Sequence, residues 1–216
     1  VSLFLNGCCG NVTQVNYKTG FIDTYDECRR IGHILGVRAL ETFSGRINTE
    51  GDEIRAMREM VPVKRVTITE EQYQWAKEVM KKVEKEGMPK FQTDGIPDAQ
   101  FAKQWLGLYE VQNQADSLEV MVIRVGNVAF VGLPGEMFNE FGSEIKDKSP
   151  FINTLVMGLT NDARKYFPTL ISFSQGPEGF KPMITGYETT PGATLYEKGA
   201  GEQLTRAAIE LLHRLK

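Results

Sequence analysis

Four short segments of the sequence contain polar side chains that could do chemistry. The first contains Glu136, which follows Pro134-Gly135 directly after a predicted strand. A carboxylate in this position can simply stabilise the start of a helix, because free amide groups and the positive end of the helix dipole lie there. Alternatively, the edge of a sheet presents the carboxylate where ligands gather in α/β folds. Spacing alone leaves both interpretations open.

The second segment runs from Gly158 to Thr169 and places polar residues at the end of an apolar strand. Asn161 and Asp162 lie there, and Tyr166 follows five residues after Asn161. Asn and Asp close turns readily, so these residues can be ordinary loop residues. A buried strand that delivers a polar cluster and then a tyrosine into a loop is equally consistent with a site.

The third and fourth segments are rich in glycine. Tyr187-Glu188 lies in the predicted loop from Thr160 to Ala200, which is too long to be a simple connection. Gly10-Asn11-Val12-Thr13 could expose backbone amides to an anion, and Thr13 supplies a hydroxyl. Asn11-Val12-Thr13 is also a formal glycosylation sequon, which matters only in a eukaryotic secretory protein. None of the four segments establishes a function by itself.

Apolar periodicity and capping residues predict the helices that must position these segments. The predicted helices are one capped by Asp23 and ended by Gly45, one opened by a Thr69/Gln72 capping box, one near 98–113, one beginning at Glu136, and one with Leu204, Ala207, Ala208, Leu211 and Leu215 inward.

Strands are predicted between these helices from apolar runs and alternation. The predicted strands cover residues 1–6, 61–67, 118–125, 127–133 and 154–159. Gly126 joins the third and fourth as a hairpin, and residues 46–60 are predicted to be a surface connection. Residues 1–216 are therefore predicted to form an α/β structure with a mixed β-sheet flanked by helices.

Taken in order, four segments resemble the neutral/alkaline non-lysosomal ceramidase family: Asn6 to Thr13, Gly132 to Phe138, Gly158 to Thr169 and Gly186 to Tyr196. The resemblance covers nearly the whole chain. It implies that residues 1–216 are the C-terminal part of a ceramidase-like catalytic domain. It also implies a zinc-dependent hydrolase of N-acyl amide bonds, which cleaves ceramide into a sphingoid base and a fatty acid.

The resemblance also implies roles for single residues. Glu136 and Tyr166 correspond to zinc ligands, Tyr187 to an active-site tyrosine near the scissile amide, and Thr13 to the family's serine. The two remaining zinc ligands of the family are histidines upstream of the segment that contains Thr13, and neither His33 nor His213 matches them. We therefore expect the upstream half of the domain to complete the zinc site and this fragment alone to be inactive.

The sequence departs from the family pattern at Gln14, at 137–139 and at 189–191. These positions belong to the pocket rather than to the metal ligands. Two alternatives to ceramide hydrolysis therefore stay open. One is a fold that has lost catalysis and acts as a carbohydrate- or lipid-binding surface protein. The other is a zinc amidase or esterase with a non-sphingolipid substrate.

Composition excludes several other classes of function. The net charge of −3 offers no basic surface for nucleic acid. No apolar run approaches the ~20 residues that span a bilayer, so we expect no transmembrane segment. The three cysteines fit no zinc-binding spacing. The apolar opening at Val1 suggests that the natural polypeptide starts further upstream. The resemblance implies a lipid or N-acyl substrate and a secreted, periplasmic or cell-surface location.

Overall fold

A computed structural model of the chain describes residues 3–16, 18, 20, 24–45, 51–89, 95–175 and 179–216. Its helices are α1 (Tyr25–Ser44), α2 (Glu70–Glu86), α3 (Asp98–Val111), α4 (Asn139–Lys148) and α5 (Ala200–Arg214), with a 3-10 helix at Ile171–Ser174. Its strands are β1 (Ile54–Lys64), β2 (Ala115–Val125), β3 (Val128–Gly132), β4 (Glu136–Met137), β5 (Asn153–Met157) and β6 (Tyr166–Phe167).

The main sheet has four strands in the order β1-β2-β3-β5. The first three are antiparallel neighbours, and β5 runs parallel to β3. The predicted hairpin is confirmed: β2 and β3 meet at Gly126, whose φ of 56° favours glycine. Strands β4 and β6 form a separate parallel pair. The predicted mixed sheet with flanking helices is confirmed.

One face of the main sheet packs against α4 and α5. Alternate side chains of β2, namely Leu118, Val120 and Val122, are fully buried on this face because successive strand residues point to opposite sides. Helices α2 and α3 form a second cluster around Trp105, whose indole nitrogen donates to the carbonyl oxygen of Pro191 at 2.8 Å. This bond ties α3 to the long loop before α5.

Two of the described helices have a side-chain cap at their first turn. The capping box of Thr69 and Gln72 is confirmed at the start of α2. Helix α1 is capped by Thr24, and Asp23, the predicted cap, lies outside the described residues. No described residue of α1 is buried, and Leu35 is 62% exposed. No helix within the described ranges is long and apolar enough to cross a membrane.

Two of the predictions about strands and connections were wrong. The predicted strand 1–6 is not formed at 3–6, where Leu3 and Phe4 are exposed; residues 1–2 lie outside the described ranges. Instead, the carbonyl of Asn6 accepts a hydrogen bond from the Gly158 amide at 3.0 Å, so this segment crosses the end of β5. The predicted connection 46–60 contains the first half of β1, which is an exposed edge strand and therefore tolerates charged residues.

The helix predicted to begin at Glu136 was also wrong, because Glu136 belongs to β4 and α4 begins at Asn139. The Glu136 amide donates to the Lys165 carbonyl at 2.8 Å, so pairing with a distant strand replaces a helical turn. This excludes the interpretation of Glu136 as a first-turn helix acid. The predicted loop from Thr160 to Ala200 contains β6 and the 3-10 helix, and its residues 176–178 lie outside the described ranges.

A polar network ties β1 and β2 to the last loop. Asp116 accepts hydrogen bonds from Arg65 at 2.9 Å and from the Tyr196 hydroxyl at 3.0 Å. Burial opposes the charge, but these donors hold the pKa of Asp116 below its usual value. Because the folded pKa is lowered, this stabilisation is complete above the ordinary pKa of about 4 and is lost as the pH falls through the folded value.

We therefore expect Asp116→Asn to lower the free energy of unfolding at pH 7 by about 2 kcal/mol. The difference from the wild type should shrink as the pH is lowered below about 4. Urea unfolding at pH 7, 4 and 3 measures both effects. Asp147→Asn, an exposed position on α4, is the control and should change stability by less than about 0.5 kcal/mol. A difference that stays constant with pH would contradict the assignment.

Candidate functional site

A cavity of about 920 Å³ lies beside β4, β6 and the start of α4. Its walls are formed by residues drawn from the segments 9–13, 136–144, 166–175 and 185–189, together with Glu202 of α5. Each of the four polar segments singled out in the sequence contributes to this wall. The segments are far apart along the chain, so the fold alone brings them together.

Glu136 and Tyr166 are direct neighbours across the parallel β4–β6 pair. Their side chains therefore lie on the same side of this pair, and both line the cavity. Burial raises the pKa of Tyr166 to about 12, and the negative charge of Glu136 adds to the rise. The structure thus brings together the two oxygen donors that the sequence suggested.

Glycines allow the backbone approach that positions Glu136. A Cβ atom on Gly135 would lie 2.5 Å from Cε2 of Phe167 and 2.7 Å from the carbonyl oxygen of Lys165. Both distances are far below van der Waals contact, so only glycine lets β4 lie beside β6. Gly10 has the same role on the other side, where an added Cβ would collide with the Glu136 carbonyl oxygen. The Gly10 amide donates to the Met137 carbonyl at 2.9 Å.

Thr13 lines the cavity at the end of this opening loop. Asn11 anchors the loop to α4: its side-chain oxygen accepts from the Asn139 amide at 2.7 Å, and its nitrogen donates to Glu140 at 2.8 Å. The side-chain nitrogen of the formal sequon is therefore engaged within the fold. Asn11 holds the loop in place, and Thr13, whose hydroxyl oxygen accepts a hydrogen bond from the Val15 amide at 3.2 Å, lines the cavity.

Tyr187 packs against Tyr166 but does not itself line the cavity. The two rings are edge to face, with centroids 5.8 Å apart, and Phe101 supports Tyr187 from α3 at 6.4 Å. The next two residues, Glu188 and Thr189, do line the cavity. Tyr187 thus lies next to the site and contacts it through the Tyr166 ring.

Asn161 and Asp162 are turn residues outside the cavity wall. Asn161 has a φ of 61° and donates to Glu119 at 2.6 Å, whereas Asp162 accepts from the following amide at 2.8 Å. The simpler interpretation of these two residues is therefore the correct one. Tyr166 and Thr169 connect this segment to the cavity.

The donor set agrees only in part with a catalytic zinc site, which usually has three protein ligands. Glu136 and Tyr166 offer two oxygens. His213 forms a hydrogen bond with the Lys148 carbonyl at 3.1 Å, and His33 lines a separate apolar groove on α1. Within the described part of the chain, no group of three His, Cys, Asp or Glu residues could hold a metal ion. Glu136 and Tyr166 therefore supply only part of the donor set that a catalytic zinc site requires.

The sequence interpretation missed the acidic character of the cavity. Five glutamates line it, and no lysine or arginine does among the described lining residues: Glu136, Glu140, Glu144, Glu188 and Glu202. Glu140 and Glu144 are four residues apart on α4, a spacing that places both on one helix face and could have been noticed. Glu188 and Glu202 carry no comparable local signal.

Comparison with known proteins identifies the fold. No protein-family model and no curated protein matches the sequence. The structure is similar to neutral ceramidase from Pseudomonas aeruginosa, with a TM-score of 0.59, 17% identity, and coverage of 98% of this chain and 37% of that chain. It is also similar to a ceramidase complexed with C2, with a TM-score of 0.54, 14% identity, and coverage of 91% and 35%.

The chain thus spans about 37% of the length of the first of these proteins. The predicted resemblance is confirmed at the level of the fold, and it extends over almost all of the chain. This chain has a ceramidase-like fold that corresponds to one part of a larger ceramidase structure.

Proposed function

We propose that the complete protein is a zinc-dependent hydrolase of N-acyl amide bonds, with ceramide as the first substrate to test. The main support is the in-register pair of Glu136 and Tyr166 on the wall of one cavity. The ceramidase-like fold adds support, since both similar structures are ceramidases. A secreted, periplasmic or cell-surface location belongs to the same proposal and follows from the resemblance alone.

In this proposal Glu136 and Tyr166 supply two of the zinc ligands, and two histidines from the upstream half of the domain supply the others. Bound zinc would lower the pKa of a water molecule toward 7 and polarise the acyl carbonyl. The residues of this chain are therefore necessary for hydrolysis but insufficient, and the isolated chain should be inactive.

Tyr187 beside the cavity and several residues of the cavity wall would bind and orient the substrate. The Tyr187 hydroxyl would donate a hydrogen bond to the oxygen that gains negative charge when the amide is attacked. The Thr13 hydroxyl would position substrate or solvent. Phe138 and the exposed Leu170 and Ile171 would contact the acyl chain, because they belong to the apolar part of the cavity wall.

Zinc analysis combined with an amide-hydrolysis assay tests the proposal on the complete protein. We expect bound zinc, hydrolysis of a ceramide, loss of activity with a chelator and recovery when zinc is added. A panel with an N-acyl amino acid and an acyl ester separates a ceramidase from an amidase or esterase of other specificity. Zinc-free protein with no turnover of any of these compounds would refute the proposal.

Tyr187→Phe removes one hydroxyl and keeps the ring that packs against Tyr166. We expect kcat to fall about 100-fold with unchanged zinc content, because a lost oxyanion donor typically costs 10²–10³ in rate. The matched control is Tyr109→Phe, since that hydroxyl donates to Glu70 at 3.0 Å, away from the cavity. Equal kcat for both variants would assign Tyr187 a packing role only.

A further inference from the structure

Among the glutamates of the cavity wall, Glu188 differs from Glu140, Glu144 and Glu202 because it has no hydrogen-bond or ion-pair partner among the described residues. Glu140 accepts from Asn11 at 2.8 Å, Glu144 pairs with Lys148 at 2.7 Å, and one oxygen of Glu202 accepts from the Leu170 amide at 2.9 Å. No described residue donates a hydrogen bond to Glu188 or forms an ion pair with it. Glu188 is half-buried and lines the cavity.

Glu188 shares the cavity wall with the proposed metal-binding edge. Glu136, Tyr166 and Glu188 all line the cavity. Tyr187, the chain neighbour of Glu188, packs against the Tyr166 ring with the ring centroids 5.8 Å apart. No described lysine or arginine lines the cavity, so no described cation of the wall neutralises Glu188 there.

We propose that Glu188 selects among N-acyl amide substrates by the polar group at the end of their amine-derived part, on the nitrogen side of the amide. It accepts hydrogen bonds from a hydroxyl or ammonium group of the bound molecule, and it repels a phosphate, sulfate or carboxylate at the same position. This inference rests on the proposed function, since it names the substrate class of the same cavity. It adds a specificity-determining residue that touches the substrate but neither the metal nor the scissile bond.

Two physical effects support this assignment. A partly buried carboxylate has unused acceptor capacity that a bound hydroxyl or ammonium group satisfies, whereas an anion brings only further acceptors. Like charges in a partly desolvated cavity also repel each other more strongly than in water.

Three compounds that share the same acyl chain and the same spacer, and differ in the terminal polar group, provide the test: N-lauroyl ethanolamine, its phosphate ester, and N-lauroyl ethylenediamine. Their dissociation constants are measured by calorimetry on the zinc-depleted complete protein, and kcat/KM on the zinc-loaded protein. For the wild type we expect the phosphate ester to bind at least about tenfold more weakly than the other two.

Glu188→Gln keeps the size of the side chain and removes its charge. We expect this variant to bind the phosphate ester about tenfold more tightly relative to the hydroxyl compound, and the ammonium compound about tenfold more weakly. Glu84→Gln, at an exposed position of α2, is the matched control and should leave all three constants unchanged. Equal binding of the three compounds by the wild type, or an unchanged ranking in Glu188→Gln, overturns the inference, and so does absence of any binding.

The two readouts separate this inference from the proposed function. If Glu188→Gln changes the ranking in binding but the zinc-loaded wild type hydrolyses none of the compounds, the hydrolase proposal fails and the selectivity of Glu188 stands. If the compounds are hydrolysed with the same ranking in wild type and variant, the hydrolase proposal stands and the role of Glu188 is wrong.

Discussion

Glu136→Gln is expected to lower the zinc affinity of the complete protein more than about 100-fold, because even partners that only support a metal ligand are worth 10–100-fold. Amide hydrolysis should disappear with the metal. The amide side chain keeps the size of the carboxylate, so the β4–β6 pair should persist, since it is held by main-chain hydrogen bonds such as that from Glu136 to Lys165 at 2.8 Å. Metal analysis after dialysis against a weak chelator measures the effect.

Glu144→Gln is the matched control for this result. Glu144 lines the same cavity, but it pairs with Lys148 on the exposed side of α4. Its replacement should leave zinc content and kcat unchanged. Tyr166→Phe, which removes only the second proposed oxygen, should weaken zinc binding in the same direction as Glu136→Gln. Full zinc occupancy in both Glu136→Gln and Tyr166→Phe would eliminate the proposed metal site.

Gly135→Ala is the second prediction with a large effect, and it changes no side chain that carries chemistry. The new methyl group would lie 2.7 Å from the Lys165 carbonyl oxygen and 2.5 Å from the Phe167 ring. The ring is fully buried and stacked on Tyr196, so neither neighbour can move cheaply. We expect the free energy of unfolding to fall by about 3 kcal/mol, as in other overpacked sites. Urea unfolding of the complete protein measures it.

The same substitution should also lower zinc affinity, since it separates β4 from β6 and thereby Glu136 from Tyr166. Gly107→Ala is the control: an added Cβ at this position in α3 meets nothing within 4 Å. Alanine is the better helix former there, so this variant should be more stable by about 0.5–1 kcal/mol. Equal stability of the Gly135→Ala and Gly107→Ala proteins would show that the close approach at Gly135 is unimportant.

The parts of the fold that depend on local chemistry could be predicted. The capping box at Thr69 and the hairpin at Gly126 are determined by residues within a few positions of each other, and both are confirmed. Glu136 shows the limit of local signals. Its surroundings favour a helix start. Its backbone amide, however, donates a hydrogen bond to the Lys165 carbonyl, a partner that no local pattern reveals.

The residues of the candidate site divide in the same way into those that the sequence could predict and those that it could not. The order of the segments correctly suggested that Glu136 and Tyr166 would meet, because the resemblance contains information about the whole fold. Asn161 was part of the same motif, yet it closes a turn and donates to Glu119 rather than facing the cavity. The sequence did not single out a role for Glu188, because a charged loop residue is ordinary until its surroundings show that it has no partner among the described residues.

The short parallel pair of β4 and β6 also determines which insertions and deletions the protein can tolerate. Tyr166 has Lys165 and Phe167 as chain neighbours, and side chains alternate along a strand. One residue gained or lost within 159–165 would therefore shift a lysine or a phenylalanine opposite Glu136. A change of any length in the turn between α4 and β5 would leave that pairing intact. Homologues should accordingly vary in length near residue 150 and keep a constant length from Gly158 to Tyr166.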